Sequence, residues 1–198
     1  MHGYGTYYFN DLEDSKKYSG EWFYNQIEGQ GVYEWKNGDK YVGFLKNGQM
    51  HGNGTFYFND KKLQRKYDGE WIKGKKEGHG VLLLRNGDRY EGQFKNDTIH
   101  GNGTYYFNEQ EGSKEYNGQW TSGQIDGYGM YEWKNGDKYV GFMKSGQMHG
   151  NGTFYFNEQK KELKYIGEWV NGKKQGQGIL ITRNGEEFQE YFKNDFMV

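Results

Sequence analysis

One pattern returns along the whole chain: a bulky residue, any residue, glycine, any residue, and a second bulky residue. It starts at Tyr18, Tyr41, Tyr67, Tyr90, Tyr116, Tyr139, Tyr165 and, degenerately, Phe188. The steps between starts alternate between 23 and 26 residues. Seven residues after the closing bulky residue comes Gly-x-Gly, as in Trp22 to Gly29-Gln30-Gly31 and Trp71 to Gly78-His79-Gly80. Self-similarity at a fixed short period is the signature of stacked supersecondary units, each too small to bury its own apolar face.

Each unit holds two alternating segments of strand length, residues 18–23 and 31–35 in the first, which the pattern bounds with Gly-rich turns. Alternation at period two places Tyr18, Gly20 and Trp22 on one face and Ser19 and Glu21 on the other. A helix is a poor alternative, since glycine every few residues would cost about 1 kcal/mol apiece in its interior. Asn37-Gly38, Asn86-Gly87, Asn135-Gly136 and Asn184-Gly185 are expected as two-residue hairpin turns with positive φ at both positions. At the opposite edge, the position three after the bulky residue is Gly48, Gly74, Gly123, Gly146 or Gly172, replaced by Asn25, Asp97 and Asp195, the residues that best tolerate a left-handed conformation. The three extra residues of alternate units fall in 10–17, 59–66, 108–115 and 157–164, read as longer hairpin loops along one edge.

Sixteen or so such strands at about 4.8 Å spacing form a ribbon of roughly 75 Å. Twist and glycine give an expected all-β, elongated and curved single-sheet antiparallel solenoid of β-hairpins, about eight units over residues 1–198. Residues 186–198 form an atypical last unit, with Glu190 where glycine is expected. Residues 1–5 align with 50–54, so the chain opens in mid-repeat. The reading here is that its first edge pairs with another chain or with residues outside this sequence, since unpaired strand edges associate.

The segments 41–56 and 90–103, with Tyr41-Val42-Gly43 leading to His51-Gly52-Asn53-Gly54-Thr55-Phe56 and Tyr90-Glu91-Gly92-Gln93-Phe94 leading to His100-Gly101-Asn102-Gly103, resemble MORN (membrane occupation and recognition nexus) repeats. The resemblance covers essentially all of the chain. It implies a groove-like antiparallel hairpin solenoid and a binding or scaffold role of the kind such repeats have in junctophilin-like membrane tethers, plant phosphatidylinositol phosphate kinases, a lysine methyltransferase and radial-spoke-head proteins of cilia. It brings no catalytic residues.

Composition narrows the chemistry further. The chain has 33 glycines, no proline and no cysteine, with 19% aromatic and only 33% hydrophobic residues. Collagen and disordered low-complexity chains are excluded, and aromatics must supply the burial. Disulfides, thiolate metal sites and cysteine nucleophiles are impossible. With 26 basic against 27 acidic residues, no global field draws the molecule to nucleic acid or anionic lipid. No stretch approaches the roughly 20 apolar residues of a membrane-spanning helix, and no basic-then-apolar leader opens the chain, so a cytoplasmic location is expected.

His2, His51, His100 and His149 recur every 49 residues, about 19 Å apart along such a ribbon, too far to share a metal, and a structural role at turns is expected of them. Asp39, Asp88 and Asp137 are likewise too far apart for a glycosidase pair and are read as turn hydrogen-bonders. No Gly-x-Ser-x-Gly elbow surrounds any serine, and Gly-x-Gly never extends to a nucleotide-binding fingerprint. The expectation is a non-enzyme, without cofactor or metal.

Two features remain as candidate sites. The first is the aromatic set Trp22, Trp35, Trp71, Trp120, Trp133 and Trp169, read as core and, where exposed, as a groove for an extended or helical segment. The second is the charge of the longer loops: Lys61, Lys62, Arg65 and Lys66 are basic, Glu109, Glu111 and Glu115 acidic, and Lys160, Lys161 and Lys164 weakly basic in net. Teeth of different sign would fix the register of a complementary partner, so this edge, more than the aromatic face, is expected to set partner identity, the aromatic face chiefly holding the fold. The function expected from this is a scaffold or adaptor for proteins, or for another MORN chain end to end, in a cytoskeletal or ciliary assembly. The alternatives are a peripheral tether binding anionic phospholipid through the basic loops, or the targeting region of a longer enzyme. Nucleic acid is not an expected partner, because no continuous positive groove accompanies the aromatics.

Overall fold

The computed structural model describes residues 1–10, 14–59, 61–108 and 112–198. They form two compact units, Met1–Thr98 and Ile99–Val198. The first contains β1 (Gly3–Tyr8), β2 (Ser15–Phe23), β3 (Gln26–Trp35), β4 (Lys40–Lys46), β5 (Gln49–Tyr57), β6 (Gln64–Ile72), β7 (Lys75–Leu84) and β8 (Arg89–Lys95). The second contains β9 (Thr98–Tyr106, from residue 99 on), β10 (Ser113–Thr121), β11 (Gln124–Trp133), β12 (Lys138–Lys144), β13 (Gln147–Tyr155), β14 (Glu162–Val170), β15 (Lys173–Thr182), β16 (Glu187–Lys193) and β17 (Phe196–Met197). Within each unit every strand pairs antiparallel with its neighbour in sequence, and no described residue is helical. The fold is therefore the expected all-β hairpin solenoid.

The repeat owes its form to one packing device. Gly20 pairs with Gly31 across β2 and β3, Gly43 with Gly54 across β4 and β5, and Gly69 with Gly80 across β6 and β7. Over each glycine pair lies the ring of the tyrosine two residues before the first glycine. A Cβ on Gly54 would sit 2.2 Å from Tyr41 Oη and 2.4 Å from its Cζ, and one on Gly31 2.4 Å from the Tyr18 ring. Only hydrogen leaves room for the ring there. Tyr116 and Tyr139 cover Gly118–Gly129 and Gly141–Gly152 in the second unit, and Tyr165 covers Gly167–Gly178. All seven leading tyrosines are 0% exposed. Six of them donate their hydroxyl to the carbonyl three residues on, Tyr18 to Glu21 and Tyr41 to Phe44 at 2.9 Å, so burial leaves those hydroxyls satisfied.

Three local expectations are corrected. The two-residue turns with both residues left-handed lie at the other edge from that expected: Asn47-Gly48 (φ 50° and 72°), Lys73-Gly74, Ser122-Gly123, Ser145-Gly146 and Asn171-Gly172, with Tyr24-Asn25, Asn96-Asp97 and Asn194-Asp195 where the second glycine is replaced. At Asn37-Gly38 only the glycine is left-handed (φ 91°); Gly38 N donates to Trp35 O and Trp35 N to Asp39 O, a three-residue loop of a tight turn followed by a bulge.

Second, Gly-x-Gly is not a turn. Its first glycine is a left-handed bulge within a strand, as at Gly29 (φ 86°) in β3. The Glu21 carboxylate lies across Gly29 and accepts from Gln30 N, which explains why a side chain is excluded there. His51, His100 and His149, expected at turns, sit in strands beside the equivalent bulges at Gly52, Gly101 and Gly150.

Third, the longer loops are shorter than 59–66 and its counterparts. Arg65 and Lys66 belong to β6, Glu115 to β10 and Lys164 to β14.

Candidate interaction surface

On the tyrosine face, the tryptophans divide into core and surface. Trp71, Trp120 and Trp169 are buried, each donating Nε1 to a glycine carbonyl of the preceding strand, Trp71 to Gly54 O at 3.0 Å. Trp22 makes the same bond to Gly5 O but is only half-buried. Trp35 and Trp133 are half-buried and stand one residue before the three-residue loops. Trp35 is packed, with tilted rings, between Tyr33 (4.6 Å between centroids) and Phe56 (5.3 Å), and Trp133 between Tyr131 (4.7 Å) and Phe154 (5.5 Å). The intervening units put Leu84 and Thr182 at this position, so the fold does not require tryptophan there.

Depressions lie beside Trp22, Trp35 and Trp120. One of about 540 Å³ is lined by Tyr7, Phe9, Trp22, Ile27 and Gly48 among others. One of about 180 Å³ shares Gly48 and reaches Tyr33, Trp35 and Met50, and one of about 460 Å³ lies on the far side of Trp35 against Asp39 and Phe56. Together they run across the first unit from the two-residue turns to the longer loops. In the second unit a depression of about 340 Å³ is lined by Tyr105, Phe107, Trp120, Ile125 and Gly146.

The charged edge is less free than its sequence suggests. Lys62 Nζ lies 2.6 Å from Asp39 Oδ2, and the Asp39 side chain is nearly buried. Burial alone would raise that carboxyl, but bonds from Lys62, the Asn59 amide and Asn37 outweigh it and hold it below the ordinary carboxylate range. Asp39, Asp88 and Asp137 are thus the turn hydrogen-bonders the sequence suggested. Lys66 pairs with Asp68 at 2.9 Å. Lys61, Arg65, Lys160 and Lys161 are exposed, whereas Glu115 and Lys164 are half-buried. Glu109 and Glu111 lie outside the described residues.

Sequence reasoning missed the clamps on these loops. Arg85 donates to Lys62 O (2.8 Å), Phe58 O (3.0 Å) and Asn59 O (2.7 Å), and Arg183 repeats this on Lys160, Phe156 and Asn157. Lys36 and Lys134 stand at the same place in the other units and reach one carbonyl each. Arg85→Lys is therefore expected to keep the fold but to loosen Phe58, Asn59 and Lys62, costing about 1 kcal/mol for the lost bonds, read by thermal denaturation and faster cleavage at Lys61 by trypsin.

Also missed are two lysines inside the aromatic face. Lys76 is buried, with Nζ 3.0 Å from Gln64 Oε1 and over the rings of Phe58 (5.2 Å) and Tyr67 (5.5 Å). Lys174 lies over Tyr165 (5.0 Å), Phe192 (5.4 Å) and Phe156 (5.5 Å). Burial pushes both ammonium groups below the usual lysine range, with Asp97 and Asp195 opposing. A comparison of positions 49 residues apart, where Ile27 and Ile125 face Lys76 and Lys174, carries the signal. No group of three or more His, Cys, Asp or Glu among the described residues could hold a metal ion.

What fold and surface define is a β-hairpin repeat module whose one-layer core is made of tyrosine over glycine. The MORN repeat model matches residues 1–12, 18–40, 41–62, 67–89, 90–110, 116–138, 139–159 and 165–187, and the chain belongs to the MORN repeat family. Such repeats are non-enzymatic modules, generally of protein or membrane interaction. Among curated proteins none matches the sequence significantly. Among solved structures, the SAS-4 (dCPAP) TCP domain of Drosophila melanogaster, in complex with a proline-rich motif of Ana2 (dSTIL), is similar over 82% of this chain and 84% of its own, at 15% identity and a TM-score of 0.32.

Proposed function

We propose that this chain is a protein-binding scaffold whose aromatic face, rather than its charged edge, holds the partner. The observation that carries this reading is the half-buried pair Trp35 and Trp133, the first of them beside open depressions, at a position where leucine or threonine stands in the alternate repeats. Half-exposed tryptophan without a structural need is the residue type that anchors interfaces. The charged edge, by contrast, spends Lys62 and Lys66 on Asp39 and Asp68. A basic membrane patch gains about 1 kcal/mol per lysine or arginine near the surface, and pairing within the chain removes part of that gain. The cytoskeletal or ciliary setting of the assembly rests on the resemblance to radial-spoke-head proteins.

Affinity capture in detergent tests the reading. Defined proteins are expected with the parent chain and are expected to be lost with Trp35→Leu/Trp133→Leu, a variant whose melting temperature should stay within a few degrees. Flotation with phosphoinositide-containing vesicles at physiological salt is expected to leave the chain at the bottom of the gradient. Flotation that is abolished by Lys61→Glu/Arg65→Glu would reverse the assignment in favour of lipid.

A further inference from the structure

The depression beside Trp22 in the first unit and that beside Trp120 in the second are built from the same residues: Tyr7, Phe9, Trp22, Ile27 and Gly48, repeated as Tyr105, Phe107, Trp120, Ile125 and Gly146. Forty-nine residues along from each, the same wall recurs as Phe56, Phe58 and Trp71, and as Phe154, Phe156 and Trp169, but Ile-Gly is replaced by Lys76-Asp97 and Lys174-Asp195. The chain thus carries two open and two self-filled copies of one cradle.

The filled copies show what the cradle holds. Asp97 Oδ1 accepts from Lys76 N at 2.9 Å, and Asp195 Oδ1 from Lys174 N at 2.8 Å, while the aliphatic stem of each lysine carries its ammonium onto aromatic rings. In the open copies the carbonyl of Ile27 accepts from Gly48 N and that of Ile125 from Gly146 N, each at 2.9 Å. The N–H and C=O of one strand residue point to the same side, so the amides of Ile27 and Ile125 face the glycine turns as those of Lys76 and Lys174 face the aspartates. Glycine supplies no acceptor there, and around a Cβ built on either glycine there is nothing within 4 Å. The inner end of the open cradle is closed: Tyr33 Oη lies 2.6 Å from Ser15 Oγ and Tyr131 Oη 2.8 Å from Ser113 Oγ, where Lys76 meets Gln64. At the outer end, the Ile27 and Ile125 amides face glycine where the filled copies place an aspartate oxygen.

The lysine–aspartate pair is absent from both open copies, and the walls of the second-unit cradle carry no charged side chain, whereas the first is also lined by Met1, whose terminal ammonium donates to Asn25 Oδ1. The acceptor that fits the second-unit cradle is therefore neutral. We infer that each unit takes up an extended, uncharged segment of the protein partner, one main-chain carbonyl accepting from the Ile27 or Ile125 amide and the adjoining aliphatic side chain lying on the half-buried wall, Phe9 and Trp22 in one unit and Tyr105 and Phe107 in the other. The inference rests on the protein-binding reading and adds to it the chemistry of the occupant and a capacity of two segments per chain.

The test uses N-acetyl-leucine N-methylamide as probe, with amide exchange and nitrogen-15 NMR on the full chain. Without probe, Ile27 and Ile125 are expected to exchange about tenfold faster than Lys76 and Lys174, since only the latter pair has an acceptor. Titration to tens of millimolar should shift the Ile27 and Ile125 amides and leave those of Lys76 and Lys174 in place. Gly48→Asn should abolish the response at Ile27 alone and Gly146→Asn that at Ile125 alone; both variants are expected to fold, because Asn25 and Asp97 hold the same turn position at φ 64° and 68°. No shift with the probe, or a larger one with the free acid N-acetyl-leucine, would overturn the inference. If captured partners bind the two asparagine variants as tightly as the parent but are lost with Trp35→Leu/Trp133→Leu, the cradle assignment fails and the scaffold reading stands. If neither set of changes affects capture, the aromatic-face reading itself fails.

Discussion

Tyr41→Ala is expected to lower the stability of the chain by about 3–5 kcal/mol, the range for removing a large, fully buried aromatic side chain. Gly54→Ala is expected to cost about 1–3 kcal/mol by overpacking, because its methyl group would fall 2.2 Å from Tyr41 Oη. The informative quantity is the double variant. With the ring gone the methyl has room, so the two costs should fall short of additivity by about 0.5–3 kcal/mol, measured by urea denaturation. Additive costs would mean that ring and glycine do not compete for the same volume.

A second large effect is expected at alkaline pH. Burial pushes the hydroxyls of Tyr18, Tyr41, Tyr90, Tyr116, Tyr139 and Tyr165 from 10.0 up to about 12, and Tyr67 further still. A raised folded-state pKa means that the fold holds the proton, so this stabilisation is complete below pH 10 and is lost as pH rises towards about 12. Lys76 and Lys174 act with the opposite sign: their ammonium groups are disfavoured in the fold, a cost that shrinks as pH approaches the ordinary lysine value. Two groups do not offset seven. Phenolate absorbance of the buried seven is expected to appear only well above pH 10, together with loss of the circular dichroism signal. A single broad titration with the fold preserved at pH 12 would contradict the burial described.

The tyrosine-glycine spacing made the fold class and the apolar face legible in the sequence, because both depend on side-chain alternation within one strand. Turn chemistry was only half legible. Asn-Gly occurs at both edges, at Asn37-Gly38 and Asn47-Gly48, and only the pairing register decides whether two or three residues form the loop. Gly29 reads as a turn until the Glu21 carboxylate is seen to lie across it. Asp97 is legible in the sequence as tolerant of a left-handed conformation, but its acceptor role depends on Lys76, 21 residues earlier on a neighbouring strand. Charge in residues 59–66 suggested a free basic tooth for the same reason: that Asp39 holds Lys62 is a contact across 23 residues, invisible to composition. The sequence presents the tryptophans as one set, and only burial separates Trp71, Trp120 and Trp169 from Trp22, Trp35 and Trp133.

Hydroxyl-radical footprinting of the chain with a captured partner tests the central claim most directly, because it reads both surfaces in one unmutated complex. The account predicts strong protection of Trp22, Trp35 and Trp133 with residues 61–66 and 157–164 oxidised as in the free chain; protection confined to those loop-edge residues, with the three tryptophans as reactive as before, would contradict it.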